Sequence, residues 1–283
     1  LPMVALVGCR ALDDPGAFGT AHNDALLVRD LGWMINFPDT PQEQVEMGLM
    51  AYRVAEDPRV FLPCAIAMDG AFLTHSQATV TVPSQEQVNE FLPPYDRGDL
   101  LLHPDNPITI APQANEDWLM EVRRQSSEAS KNAYTVLKEV HKDYCRIFGA
   151  DVDPFLEEYM TDDADVVLVG MGTMSLPVKV AIREMRKDGI KVGMVRLKWV
   201  RPFPTNELRD SLSRFKAVGV IDRDYSFGSP HDGGILFNEV KAALYGADNQ
   251  PFMKGFVCGL GGREVLIEDV RSMTDQVLAT IKS

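Results

Sequence analysis

Four cysteines are spread over 283 residues, at Cys9, Cys64, Cys145 and Cys258, and no two of them form a C-x-x-C pair. Zinc and iron-sulfur sites need clustered thiolates, so the chain should build neither by itself and its cysteines read as small buried residues. No run approaches the roughly 18 to 20 uninterrupted apolar residues that span a bilayer, and no basic-then-apolar secretion signal opens the chain. The expectation is a cytoplasmic protein without a membrane partner. Bases are outnumbered, 28 against 41 acids, and the formal net charge of −13 repels phosphates and disfavours a nucleic-acid partner. His22, His75, His103, His141 and His231 are scattered, none four residues from another or beside a nucleophile-elbow serine, which argues against a zinc site and a hydrolase triad. Internal repeats and low-complexity tracts are absent.

What is present is ample core material: 45% of the residues are hydrophobic, enough for one large or two ordinary domains. The chain opens at Leu1 inside an apolar strand-like run, and an upstream part of the first domain is expected to be missing. "LPMVALVG" reads as a strand, "HNDALLVRDLGWM" as a helix and "INFPD" as a short strand. "TPQEQVEMGLMAYRVAED" carries Thr40 as N-cap, Pro41 at the first helical position and Glu43 three residues after the cap, a helix start with a mechanism. "RVFLPCAIAMDG" is the near-continuous apolar run of a parallel strand buried on both faces, closed by a turn at Asp69-Gly70. Prolines crowd the stretch from Pro83 to Pro112, which reads as a strap over a surface.

A long helix is expected from residue 115 to Gly149, followed by "DVDPFLEEYMTDDAD", seven acids without a base, as the domain boundary. Strand and helix patterns then alternate to the end, with "KVGMVRLKWV" as one of the strands, which predicts a parallel sheet covered on both faces. The resulting division is 1–110, then 111–160 for the helix and acidic linker, then 161–283.

Several turns could carry chemistry. "GMGTMS" (170–175) and "GLGGRE" (259–264) each place glycines before a helix, where backbone N–H groups gather an anion and, in the second, Arg263 could clamp it; the first lacks GxGxxG and P-loop spacing, and a plain tight turn is the favoured reading of both. "DRDYSFGSPHDGGILFNEV" (222–240) groups polar residues and glycines at a strand end, either a ligand site or a subunit-interface loop. "GCRALDDPGAFGT" sets Arg10 near Asp13 and Asp14 on a Pro-Gly turn. The planar fork of Arg10 suits a substrate carboxylate, or it closes its own loop on Asp13 or Asp14. Phe18, on the same loop, either shields a site or packs.

Taken in order, "GCRALDDPGAFGTAHNDALLVRDLGWMINF", "QEQVEMGLMAYRVAE", "MDGAFLTHS", "GMGTM", "VRLKWVRPFP" and "DRDYSFGSPHDGG" resemble the alpha subunit of 2-oxoacid:ferredoxin oxidoreductases. The resemblance runs nearly end to end. It implies an α/β chain with a partial pyrimidine-side thiamine-binding domain followed by a transketolase C-terminal-like domain. It also implies oxidative decarboxylation of a small 2-oxoacid on thiamine diphosphate with Mg2+, shared with a partner subunit. Electrons would pass through [4Fe-4S] clusters held only by partner subunits to ferredoxin. The family's carboxylate-binding arginine falls on Arg10, and its cofactor-activating glutamate belongs to an N-terminal region this chain does not show.

The departure lies just after that arginine. Pyruvate-type members usually place small or apolar residues there, and this chain has Asp13 and Asp14. Two like charges about 4 Å apart repel by roughly 4 kcal/mol at an effective dielectric of ~20, so an ionised Asp13 is hostile to a neighbouring carboxylate. A mobile turn could exchange an arginine-friendly site for a carboxylate-hostile one between two losses of carbon dioxide, which points to oxalate as substrate. On that expectation Arg10 holds oxalate and Asp13 later opposes its remaining carboxylate. The rival expectations are a pyruvate or other 2-oxoacid enzyme using coenzyme A, and a structural subunit that only braces a catalytic partner.

Overall fold

The computed structural model describes all residues except 13, 14, 99, 152, 231, 232, 282 and 283. Its first half is organised by the two apolar runs β1 (Met3–Cys9) and β3 (Pro63–Asp69), which lie parallel and in register from Met3 beside Pro63 to Cys9 beside Asp69. Both strands therefore deliver their following residues to one carboxyl edge. Between them come α1 (Asn23–Leu26), β2 (Met34–Asn36) and α2 (Pro41–Ala55). The helix read from residue 22 onward shrinks to the single turn of α1, after which Val28 and Arg29 donate to carbonyls three residues back, a tightening that ends regular helix. α2 starts as its residues dictate: Thr40 accepts from the Glu43 N–H at 3.2 Å, and the Glu43 carboxylate accepts from the Asp39 N–H at 2.8 Å. Its Met47, Met50, Ala51, Val54 and Ala55 are buried, facing β1 and β3.

Inside the proline-rich stretch the chain forms α3 (Gln85–Phe91), begun by a reciprocal cap between Ser84 and Gln87. The following α4 (Leu119–Phe148) is the long expected helix; its Ala133, Val136, Leu137, Val140 and Tyr144 pack into the first core.

The second half runs β4 (Leu156–Tyr159), β5 (Val166–Met171), α5 (Ser175–Lys187), β6 (Val192–Leu197), β7 (Trp199–Arg201), α6 (Thr205–Leu212), β8 (Ala217–Asp222), α7 (Ile235–Leu244), β9 (Phe252–Val257) and α8 (Ile267–Thr280). Its sheet has the order β4-β6-β5-β8-β9. All neighbours are parallel except β4, which pairs antiparallel with β6 and lies within the acidic run read as a linker. Alternate residues of β5 and β8 serve two cores: Val166, Leu168, Ala217 and Ile221 join α5 and α8 on one face, while Val167, Val169, Val218 and Val220 join α6 and α7 on the other. Both faces are covered, as the near-continuous apolar strands require.

The run 191–200, read as one strand, is divided at Lys198. That residue's N–H donates to the Phe155 carbonyl at 2.8 Å and its own carbonyl accepts from the Phe37 N–H at 2.9 Å. β6 therefore ends in the second sheet, and β7 crosses to pair antiparallel with β2, giving the first sheet the order β1-β3-β2-β7. Beside this crossing, the buried Arg196 guanidinium donates bidentately to Glu43 at 2.7 and 2.8 Å and through Nε to Glu157 at 2.7 Å. Burial pushes the Glu43 carboxyl up, but Arg196 and Lys198 outweigh it and hold the group below its ordinary range; Glu157 is held down likewise, by Arg196 and Lys179 against burial. One arginine thus ties α2 of the first half to β4 and β6 of the second.

Glu43→Gln leaves the buried Arg196 with Glu157 as its close carboxylate partner and should cost about 1.5 to 3 kcal/mol, the value of a charge-assisted hydrogen bond, in chemical denaturation at neutral pH. Because the folded-state pKa of Glu43 is lowered, its contribution is present above the ordinary carboxylate range of about 4 and is lost as pH falls below it. The gap between parent and variant should therefore narrow in acid, and a gap constant down to about pH 2 would contradict this account.

Candidate functional site at the carboxyl edges

The carboxyl ends of β1, β3, β5 and β8 meet around one buried carboxylate, Asp69. Its Oδ1 accepts from Thr20 Oγ1 at 2.8 Å and lies 2.6 Å from His22 Nε2. Its Oδ2 accepts from the Thr173 N–H and Thr173 Oγ1, both at 2.6 Å, and lies 3.1 Å from the Arg223 guanidinium. Burial pushes this carboxyl up, yet His22, Arg223 and the Thr173 hydrogen bond together hold it well below the usual range. Thr20 and His22 come from the segment after β1, Thr173 follows β5, and Arg223 follows β8. Beside the cluster lies a cavity of about 550 Å³ whose lining includes Phe72, Leu73, Thr173, Leu176, Arg223 and Arg263, with the Arg223 guanidinium 4.9 Å from the Phe72 ring centroid.

This arrangement answers the question of the two glycine turns. In "GMGTMS" the anion at the helix start is internal, because Asp69 takes the Thr173 N–H. Gly172 sits at φ 59 and a Cβ there would stand 2.7 Å from Asp69 Oδ2, so the turn is packed shut on its own carboxylate. In "GLGGRE" the Gly261 N–H donates to the Thr20 carbonyl at 2.9 Å, and the turn is pressed against residues 19–20. One backbone N–H of each turn is thus already taken inside the chain, while Thr173 and Arg263 line the neighbouring cavity. Two acids of the polar stretch are engaged by the fold: Asp222 accepts from the N–H groups of Leu236 and Phe237, and Asp224 from that of Ile235, at the start of α7, while Tyr225 and Phe227 stay exposed. Burial pushes both carboxyls up, that of Asp222 further because Asp224 is beside it.

Arg10 stands at the exposed end of β1. Its backbone N–H donates to Asp24 Oδ2 at 2.9 Å, and among the described residues its guanidinium has no ion-pair partner. Ala11 and Ala17 form an antiparallel bridge that closes the loop between them. Phe18 is 86% exposed. Asp13 and Asp14, expected to act with Arg10, lie outside the described residues, as does His231.

Cys9 and Cys64 are buried, and Cys145 and Cys258 half-buried. No group of three or more His, Cys, Asp or Glu side chains among the described residues is placed to hold a metal ion, and no helix there is long and apolar enough to cross a membrane. Sequence reasoning missed the Asp69 cluster. Asp69-Gly70 reads locally as a strand-end turn, and His22, Thr173 and Arg223 are 47, 104 and 154 positions away, brought together by topology alone.

The fold and this edge define a thiamine-enzyme architecture: a first α/β unit of the thiamine-binding kind and a second, five-stranded unit of the transketolase C-terminal kind. Residues 1–142 match the family model described as pyruvate flavodoxin/ferredoxin oxidoreductase, thiamine diphosphate-binding, and residues 164–270 match pyruvate:ferredoxin oxidoreductase core domain II. The chain is 36% identical over 283 residues to ketoisovalerate oxidoreductase subunit VorA of Pyrococcus horikoshii, covering all of this chain and 71% of that protein. It is 36% identical over 282 residues to pyruvate synthase subunit PorA of Pyrococcus abyssi, again across this whole chain and 69% of the relative. Among solved structures it shares a fold with 2-oxoglutarate:ferredoxin oxidoreductase from Magnetococcus marinus, with a TM-score of 0.58 at 13% identity, covering 98% of this chain and 48% of that one. The chain belongs to the 2-oxoacid:ferredoxin oxidoreductase family, as an alpha subunit.

Gly172→Ala would place a methyl against Asp69 in a left-handed backbone conformation and should destabilise the fold by about 1 to 3 kcal/mol. Denaturant titration checks this, and a parent-like midpoint would mean that Asp69 is not packed on the turn.

Proposed function

We propose that this chain is the alpha subunit of a thiamine diphosphate-dependent oxidoreductase in which Arg10 holds the substrate carboxylate, and that the substrate is oxalate. The observation that carries the first part is Arg10 itself, an exposed guanidinium at a strand's carboxyl edge, free of ion pairs among the described residues, with its backbone N–H tied to Asp24. Such a fork is available to a carboxylate at the edge where open parallel sheets receive ligands. The second part rests on Asp13 and Asp14, which follow Arg10 in the sequence and disfavour a lasting second carboxylate. Oxalate loses two carbon dioxides and leaves two electrons, so a loop that first attracts and then opposes carboxylate serves both losses.

Thiamine diphosphate, with Mg2+, supplies the electron sink for decarboxylation when bound. In the two glycine turns of this chain the Thr173 and Gly261 N–H groups are already taken by Asp69 and the Thr20 carbonyl. The reading therefore gives this chain the substrate-carboxylate side of a shared site, and the partner subunit the diphosphate and metal. [4Fe-4S] clusters in partner subunits then carry the electrons to ferredoxin, in the cytoplasm. The division 1–110, 111–160 and 161–283 assigns the carboxylate to the first unit, with Arg196 and Asp69 fastening it to the third. A second reading, a 2-oxoacid enzyme that uses coenzyme A, is favoured by the relatives named for ketoisovalerate oxidation and pyruvate synthesis.

In the assembled complex, ferredoxin reduction measured with oxalate and with pyruvate, each with and without coenzyme A, separates the two. Oxalate-driven reduction independent of coenzyme A is expected, and pyruvate-driven reduction requiring it would replace oxalate by a 2-oxoacid. Arg10→Ala should raise the apparent KM by about tenfold or more, the value of a lost charge-assisted hydrogen bond, and slow turnover. An unchanged KM would return Arg10 to a structural role. Asp13→Ala should lower oxalate turnover, and unchanged turnover would remove Asp13 from the reaction.

A further inference from the structure

The loop that carries Arg10 has two stems, and both are fastened to two consecutive residues. On the first stem the Cys9 carbonyl accepts from the Gly70 N–H at 2.9 Å. Arg10 lies against the same glycine: a Cβ on Gly70 would stand 3.2 Å from Arg10 Cγ and 2.2 Å from the Cys9 oxygen, so only a bare backbone fits beneath the arginine stem. On the second stem Thr20 Oγ1 and His22 Nε2 both meet Asp69 Oδ1, at 2.8 and 2.6 Å.

Asp69 is in turn immobilised from the other half of the chain, by Thr173 and Arg223 on its second oxygen. The second stem has further ties to that half, with the His22 N–H donating to the Arg223 carbonyl at 3.0 Å and the Gly261 N–H to the Thr20 carbonyl at 2.9 Å. Asp69-Gly70 is thus the point where both stems are registered against a frame made by β3, β5 and β8.

We propose that Asp69 is a positioning residue for Arg10: through Thr20 and His22 it sets the spacing of the loop stems and so the place at which the Arg10 guanidinium meets a substrate carboxylate. The inference rests on the reading of Arg10 as the carboxylate-binding residue. A carboxylate clamp depends on geometry within fractions of an ångström, so loosening one stem weakens binding without removing any group that touches substrate. One oxygen serves the loop side and the other the frame side, which lets the loop side be cut alone.

Thr20→Val makes that cut, removing a hydroxyl while Asp69 keeps His22, Thr173 and Arg223. In the assembled complex, with whichever of oxalate and pyruvate it turns over, the apparent KM should rise about three- to tenfold with kcat per folded complex changed less than twofold. Thr20→Ser should restore the parent KM. His22→Gln, acting on the same Asp69 oxygen, is the second variant and should move KM in the same direction. A structural role alone would lower the denaturation midpoint and leave KM at the parent value in both variants, which overturns the proposal. Arg10→Ala is measured alongside, and Thr20→Val added to it should raise KM no further, since the stem then has no guanidinium to place. If Arg10→Ala itself leaves KM unchanged, the reading of Arg10 fails; if it raises KM while Thr20→Val and His22→Gln do not, only the positioning role fails.

Discussion

A buried carboxylate is tolerable only when its charge is met on all sides, and Asp69 meets that requirement with donors from three separate segments. A lone carboxylate in that position would take up a proton or draw in water. Surrounded by Thr20, His22, Thr173 and Arg223, it stays ionised and fixes the relative placement of the two sheet edges. The Arg196 cluster applies the same physics to a different place, with the sign of the central charge reversed: a buried guanidinium between Glu43 and Glu157. Among the contacts that join the halves, one polar cluster is thus centred on an acid and another on a base, and the Arg10 loop hangs from the first.

This bears on how a family architecture takes different substrates. Glycine turns that look ready for phosphate are spent on internal contacts, and the acids after β8 are spent on the start of α7. The loop after β1 keeps Arg10, which has no ion-pair partner among the described residues, and the exposed Phe18. On the proposed reading of Arg10, its loop can change composition while the frame around Asp69 persists.

The legible parts of the sequence were those with local causes. Thr40, Pro41 and Glu43 announced α2, the apolar run from residue 60 announced β3, and the long helix ended at Gly149 as read. Arg10 was placed at a strand end correctly because β1 is short and bounded by its own apolar residues. What escaped had non-local causes. Lys198 divides an apolar run that nothing local would divide, because two different sheets compete for its backbone. Glu157 and Glu158 sit in an acidic stretch that looks like a linker, yet the first is paid for by Arg196 and the second by Ser211 and Arg214, so the stretch becomes a strand. Asp69 offered one signal, an acid at the end of a strand otherwise buried throughout, which is an expensive place for a charge without partners.

The passage of the chain through Lys198 from β6 into β7 bears on ancestry as well as architecture. A gene cut within residues 143–163, between the segments matched by the two family models, would yield two polypeptides of which the first lacks its own fourth strand. Each half would then carry an unpaired stretch of backbone, the free edge of β2 in one and β7 in the other. Rejoining them would mean seating a three-residue ribbon beside β2.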